Sequence, residues 1–122
     1  MINSIDHVVL TVRDIDTSVA FYQRVLRMDA VTFAEGRRAL TFGSQKINLQ
    51  SLGQEVRNHA CIGSGDLCLI TDWQPNQVLD HLVKEGVAVV QGPVSKSGAR
   101  GPITSVYFND PDGNLIEVSH YD

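Results

Sequence analysis

Asp6-His7-Val8-Val9-Leu10-Thr11-Val12 near the start of the chain and Asp110-Pro111-Asp112-Gly113-Asn114-Leu115-Ile116-Glu117-Val118 near its end are the two stretches that decide the fold. Each reads as a strand whose side chains alternate between two faces. In the first, Val8, Leu10 and Val12 form an apolar face suited to a helix-packed layer, which leaves His7 on the other face with Ile5, Val9 and Thr11. In the second, Ile116 and Val118 form the apolar face and Glu117 projects opposite. An imidazole and a carboxylate on the non-helix faces of two strands point to a concave site.

Working outward from these strands, the chain reads as one pattern written twice. Strand one, Ile5 to Val12, leads to a helix that Asp14 is placed to cap and that runs through Val19, Phe21, Tyr22, Val25 and Leu26. Strands follow at Ala30 to Phe33, Arg38 to Phe42 and Lys46 to Gln50, separated by turn signals at Glu35-Gly36 and Gly43-Ser44. The second half repeats the order: a strand from Asp66 to Thr71, a helix opened by Pro75 and closed at Gly86, then strands at Val87 to Val90, Thr104 to Phe108 and Asn114 to Ser119. An added stretch, Ser95 to Pro102, reads as a loop, and its Ser97 to Pro102 part carries Arg100 and suits either a lid or anion contact or ordinary solvated surface.

Aligning the halves sets Asp66 in the place of His7 and Glu117 in the place of Asn48. Pseudo-twofold symmetry then gives His7, Asn48, Asp66 and Glu117 equivalent inward positions, with Gln50 one pleat from Asn48 on the same face. Tyr107 faces inward if Val106 and Phe108 face the helix layer. Each of these residues also has a bland reading. His7 can be a hydrogen-bonded core histidine, Glu117 can pair with Arg38 or Arg100, and Asp66 after Gly65 can simply face water. Asp110-Pro111-Asp112-Gly113 is most economically a tight turn, with no catalytic duty for its acids.

The chain has 122 residues, 43% of them hydrophobic and 20% charged, which suits one α+β domain over residues 1–122: a first module over about 1–52, a linker over 53–65 and a second module over about 66–122. A net charge of −4 with scattered cations argues against nucleic acid as a partner. No apolar run is long enough to cross a bilayer and the N-terminus lacks the pattern of a signal peptide, so a cytoplasmic location with no membrane partner is expected. Cys61 and Cys68 lack metal-type or redox-type spacing and read as free, buried thiols.

At these residues the sequence resembles the vicinal oxygen chelate superfamily, which includes glyoxalase I, fosfomycin- and bleomycin-resistance proteins and extradiol dioxygenases. The resemblance spans nearly the whole chain and rests on Asp6 to Val12 followed by Phe21-Tyr22, and on Asp110 to Glu117. The strings Ala39-Leu40-Thr41-Phe42-Gly43, Lys46-Ile47-Asn48-Leu49, Gly92-Pro93-Val94 and Ser97-Gly98-Ala99 look similar to a glyoxalase-domain subfamily that includes a bacterial virulence-associated protein.

The resemblance implies two βαβββ modules whose sheets curl around a cavity, a homodimer, and a divalent metal ion (Zn, Ni, Mn or Fe) acting on a small molecule with two adjacent oxygens. The family's four ligand positions map to His7, Asn48, Asp66 and Glu117; the ligands expected here are His7, Glu117, Asp66 and Gln50, with Glu117 or Asp66 as catalytic carboxylate, and the residues' own placement makes Tyr107, Arg100 and Asn48 the expected substrate contacts. Two positions depart from the family pattern: Asp66 stands where a histidine is usual, and Gln50 where nearer relatives carry histidine. The leading expectation is a metal-dependent glyoxalase-type enzyme, lactoylglutathione lyase-like or of related isomerase or transferase chemistry. The alternatives are a non-catalytic small-molecule or antibiotic-binding resistance protein and an extradiol-dioxygenase-like protein.

Overall fold

A computed structural model describes residues 1–122. The chain divides into two compact units, Met1–Ser64 and Gly65–Asp122, and each folds as βαβββ with a mixed four-stranded sheet. The architecture is the α+β arrangement of two glyoxalase-like modules expected from the sequence.

The first unit runs β1 (His7–Val12), α1 (Ile15–Leu26), β2 (Asp29–Phe33), β3 (Arg37–Phe42) and β4 (Gln45–Ser51). Its strands lie in the order β1-β4-β3-β2, with β1 and β4 parallel and the other pairs antiparallel. A parallel pair needs a crossover, and α1 with the β2–β3 hairpin supplies it. The helix starts where the sequence provides an acceptor: Asp14 is extended, and its carboxylate accepts from the Thr17 N–H at 2.9 Å. It ends at Arg27, whose left-handed backbone (φ 55°) lets its N–H reach the Tyr22 carbonyl. Val19, Tyr22 and Val25 are buried from the helix, and Leu10, Val12, Leu40, Ile47 and Leu49 from the strands. Burying each large side chain contributes about 1.5–3 kcal/mol, which fixes the strand faces, because a one-residue slip would exchange core and open face.

The second unit runs β5 (Asp66–Ile70), α2 (Pro75–Lys84), β6 (Val89–Gly98), β7 (Gly101–Asn109) and β8 (Leu115–Tyr121), in the order β5-β8-β7-β6. Pro75 opens α2 at a position that has no helical hydrogen bond to lose, and the Gln77 side chain accepts from the Gln74 N–H at 2.9 Å. Val78 and Leu82 pack inward with Val106, Phe108, Ile116 and Val118, whereas Val83 is exposed.

The Asp110–Asn114 turn sets the register of β5 on β8. One Asp110 carboxylate oxygen accepts from the backbone N–H groups of Asp112 and Asn114, both at 2.9 Å, and the other accepts from the Asn114 amide at 2.8 Å. The Asn114 side-chain oxygen in turn accepts from the Gly65 N–H at 2.7 Å, immediately before Asp66. Gly113 takes the positive φ (86°) that closes the turn.

Two expectations from sequence need correction here. The strand expected at Val87 to Val90 runs instead from Val89 to Gly98, and the expected Ser95–Pro102 lid loop is the tip of a β6–β7 hairpin in which Ser95 pairs with Thr104 and Gly98 with Gly101. Gly92-Pro93 fits inside β6 because this is an edge strand, where proline costs no ladder bond, and register shifts on either side of Gln91 absorb the irregularity. Gly92 is needed there: with φ 117°, a Cβ would come within 2.4 Å of the Ser105 carbonyl oxygen.

Candidate functional site

The ladder registers show which residues share the face away from each helix. In the first unit His7 pairs with Lys46, Val9 with Asn48 and Thr11 with Gln50 across the parallel β1–β4 ladder, and Asn48 pairs with Ala39 on β3. In the second, Asp66 pairs with Leu115, Cys68 with Glu117 and Ile70 with Ser119, and Glu117 pairs with Tyr107 on β7. Asp66 therefore stands in its module where His7 stands in the first, and Glu117 where Asn48 stands. The sequence alignment of the halves gives the same equivalence.

On the first unit's face a cavity of about 500 Å³ is lined by His7, Val9, Phe33, Arg37, Lys46, Asn48, Gln50, Glu55, Arg57 and Asn58. It brings together three residues singled out from the sequence: His7, Asn48 and Gln50. The His7 Nδ1 sits 2.7 Å from an Asp6 carboxylate oxygen, a contact that orients the ring and leaves Nε2 for a ligand. Gln50 is buried, and its amide donates to the Thr11 hydroxyl at 2.8 Å. Asn48 is only 4% exposed, and its side-chain oxygen has no hydrogen-bond partner. Glu55 and Arg57 at the rim hold one another: the guanidinium hydrogen bonds keep the Glu55 carboxyl down to about 2.

On the second unit's face Glu117 is half-buried within a run of hydroxyls. Its Oε1 accepts from the Ser105 hydroxyl at 2.7 Å and lies 3.3 Å from that of Ser119. Ser105 and Ser119 are 2.7 Å apart, and the Cys68 sulfur is 3.3 Å from the Ser119 oxygen. Each of these groups has a single proton to donate, so the run has one consistent direction, from Cys68 through Ser119 and Ser105 to Glu117. Burial pushes the Cys68 thiol up, and the neighbouring Glu117 and Asp66 carboxylates add to that. Tyr107 is pushed up to about 12, first by burial and then by its hydrogen bond to Glu117 and that carboxylate's charge, so it is a phenol at any physiological pH.

Glu117 therefore finds serine hydroxyls, in place of the arginines considered as its structural partners. Arg38 lies 3.6 Å from Asp16, and Arg100, at the hairpin tip, lies over the Tyr121 ring at 4.3 Å and donates its backbone N–H to the Tyr121 hydroxyl at 3.1 Å. The thiols also differ from expectation: Cys61 and Cys68 are both exposed. Cys68 lies on the face shared with Glu117, and its even spacing from Asp66 was the signal that places it there. The hydroxyl run was missed because Ser105 and Ser119 read as neutral strand residues, although the alternation that turns Glu117 inward also turns Ser119. No group of three or more His, Cys, Asp or Glu side chains able to hold a metal ion occurs in the structure. No helix is long and apolar enough to cross a membrane.

Two βαβββ modules, each with a polar open sheet face, define a class, and the sequence agrees: residues 4–118 match the Glyoxalase/Bleomycin resistance protein/Dioxygenase superfamily, to which this chain belongs. Within it, the chain is 49% identical to virulence protein STM3117 of Salmonella typhimurium over 99% of its own length and 86% of that protein's. The crystal structure of STM3117 superimposes with a TM-score of 0.95, covering 100% of this chain and 99% of that one. The glyoxalase domain-containing protein RDO1 of Mycosarcoma maydis is 47% identical, over 98% of this chain and 69% of that protein. An integron cassette protein from V. cholerae is 52% identical, with a TM-score of 0.95, covering 100% of this chain and 98% of that one. The superfamily includes enzymes, among them the metallothiol transferase FosB and lactoylglutathione lyase.

Proposed function

We propose that this protein is a metal-dependent enzyme of the glyoxalase type, acting on a small molecule with two adjacent oxygens. The observation that carries the reading is the equivalence of the two ladders. Each module offers its open face a strong donor from an outer β-strand pair, the His7 imidazole in the first and the Glu117 carboxylate in the second. The donor chemistry fits a divalent ion: Nε2 of an imidazole oriented by a carboxylate, and a carboxylate steadied by hydroxyls. Asp66 and Gln50 complete the proposed ligand set. Neither module carries the full set; in this reading it assembles in a homodimer, the first module of one chain meeting the second module of another, and dimers are common for this fold.

When bound, the ion supplies Lewis-acid polarisation of the two substrate oxygens. The residues supply the rest. Glu117 or Asp66 accepts a proton from the substrate, and the Ser105 hydroxyl, itself receiving from Ser119, holds Glu117 in one rotamer as it donates to it. Tyr107, kept protonated and bonded to Glu117 in the free protein, turns its one proton to a substrate oxygen when substrate binds, and Arg100 and Asn48 contact the substrate. A second reading, ligand sequestration without a metal or a reaction, is favoured by the absence of a three-donor group within the chain and by the amide at Gln50.

Elemental analysis after loading with Zn²⁺ or Ni²⁺ separates the two readings. About one ion per chain is expected, lost in His7→Ala and in Glu117→Gln. In the proposed dimer, mixing His7→Ala with Glu117→Ala chains rebuilds one intact site per heterodimer and restores part of the metal content. Equal metal content in wild type and the double variant overturns the metal reading, and a monomer by light scattering overturns the shared site.

A further inference from the structure

The cavity on the first unit's face has a charge that the chain as a whole does not. The protein carries a net charge of −4, yet Arg37, Lys46 and Arg57 line this cavity against one carboxylate, Glu55, which Arg57 occupies. The guanidinium of Arg37 lies 5.1 Å from the Phe33 ring centroid and the ammonium of Lys46 lies 3.8 Å from it, and neither has a carboxylate partner. Two cations held on one aromatic ring repel each other, and an anion between them relieves that repulsion. Asn48 lines the same cavity, and its side-chain oxygen is buried there without a donor. An unsatisfied buried acceptor is costly, and a hydroxyl or amino group on a ligand would satisfy it.

We propose that this face binds a small carboxylate that bears a hydroxyl or amino group on the adjacent carbon. Arg37 and Lys46 take the carboxylate and the Asn48 oxygen accepts from the neighbouring donor. Lys46 and Asn48 are two residues apart on β4, so both side chains leave the same face of the sheet, with Cα atoms about 7 Å apart. Arg37 lies two residues before Ala39, the partner of Asn48, so the guanidinium approaches from the neighbouring strand. The inference deepens the reading above by naming the substrate class, and it rests on that reading only in taking this face as the place where substrate sits.

Glycolate is the probe, titrated into the protein as purified and after chelation, with the Asn48 side-chain amide and Arg37 Nε–H followed by ¹⁵N NMR. Saturable shifts are expected with glycolate, weaker ones with acetate, which lacks the donor, and none with uncharged glycolamide. Arg37→Gln and Lys46→Gln should each weaken glycolate binding about tenfold, the worth of one charge-assisted hydrogen bond. Asn48→Leu should abolish the preference for glycolate over acetate. Because any variant can misfold, wild-type binding is also measured from about 0.05 to 0.5 M NaCl, over which an ion-paired ligand must weaken. Equal shifts with glycolamide, salt-independent binding, or full affinity in folded Arg37→Gln/Lys46→Gln overturns the proposal, and tighter binding of inorganic phosphate through the same residues overturns the carboxylate assignment. Glycolate binding without metal uptake defeats the metal reading alone, and metal uptake without glycolate binding defeats this one alone.

Discussion

Replacing Asn114 by alanine should be among the most damaging single changes to the second module, because one side chain ties together three segments. It is 1% exposed, its oxygen accepts from the Gly65 N–H at 2.7 Å, and its amide donates to Asp110 at 2.8 Å. Alanine leaves the Gly65 donor and one Asp110 oxygen without these partners. At about 1–3 kcal/mol for each of the two groups, with the upper end discounted because the Gly65 donor is only part-buried, the loss comes to about 2–5 kcal/mol. For a domain of this size that corresponds to a fall in Tm of about 10–25 °C. Urea unfolding followed by circular dichroism measures it, with the change in midpoint at constant slope giving the free energy. Asn114→Asp is the sharper comparison. It keeps the shape and the acceptor for Gly65 but sets a carboxylate oxygen against Asp110, so it should destabilise at neutral pH and recover as the pair takes up a proton in acid. A loss below about 1 kcal/mol for Asn114→Ala would refute the reasoning, since it would mean that the turn closes without the asparagine bridge.

Gln50→His should tighten Zn²⁺ or Ni²⁺ binding by roughly tenfold or more if position 50 belongs to the ligand shell, and an unchanged titration places it outside. Tyr107, held up to about 12 in the fold, should show no movement of its ring Cζ resonance between about pH 8 and 10.5, where an ordinary tyrosine titrates. The folded state holds this proton longer than the unfolded chain does, so its contribution to stability is complete below about pH 10 and fades as pH rises toward 12. Glu117→Gln should bring the midpoint only part of the way down, since burial is the larger cause; an unchanged midpoint excludes the Glu117 contribution.

How much of this was legible depended on whether a residue's role is set by its own strand or by a distant one. Helix α1 could be read to its first residue because Asp14 is a local cap. That His7 and Asn48 share one sheet face, and Asp66 and Glu117 another, could be read because strand alternation is also local, and the β1–β4 and β5–β8 registers follow the same alternation. The extent of β6 could not, since the edge position that lets Gly92 and Pro93 stay in a strand is a property of the whole sheet. The same holds for the exposure of Cys68, which depends on what covers the open face and not on the apolar composition of β5. The Asp110–Asn114 turn was legible as a turn, but its hold on Gly65 was not, because that contact joins residues 49 positions apart.

The two open faces carry opposite chemistry, and this bears on how a complete site would assemble. The first presents His7, Arg37, Lys46 and the acceptor of Asn48 around its cavity. The second presents Glu117 and Asp66 beside Cys68 and Tyr107, with Lys96 at 5.7 Å from the Tyr107 ring as its nearby cation. Two copies of the basic face would repel, and so would two copies of the acidic one, whereas a first module set against a second module brings imidazole to carboxylate and cations toward anions. Valines at positions 9 and 31 and Ile70 are exposed on these faces, apolar area that pairing would remove from water at about 25 cal/mol per Å². In the homodimer proposed above, charge is the term that selects unlike modules and apolar burial the term that supplies affinity. A homodimer satisfies both when each chain offers its first module to the partner's second, which makes His7 of one subunit and Glu117 of the other the pair whose joint loss the mixed-variant experiment reads.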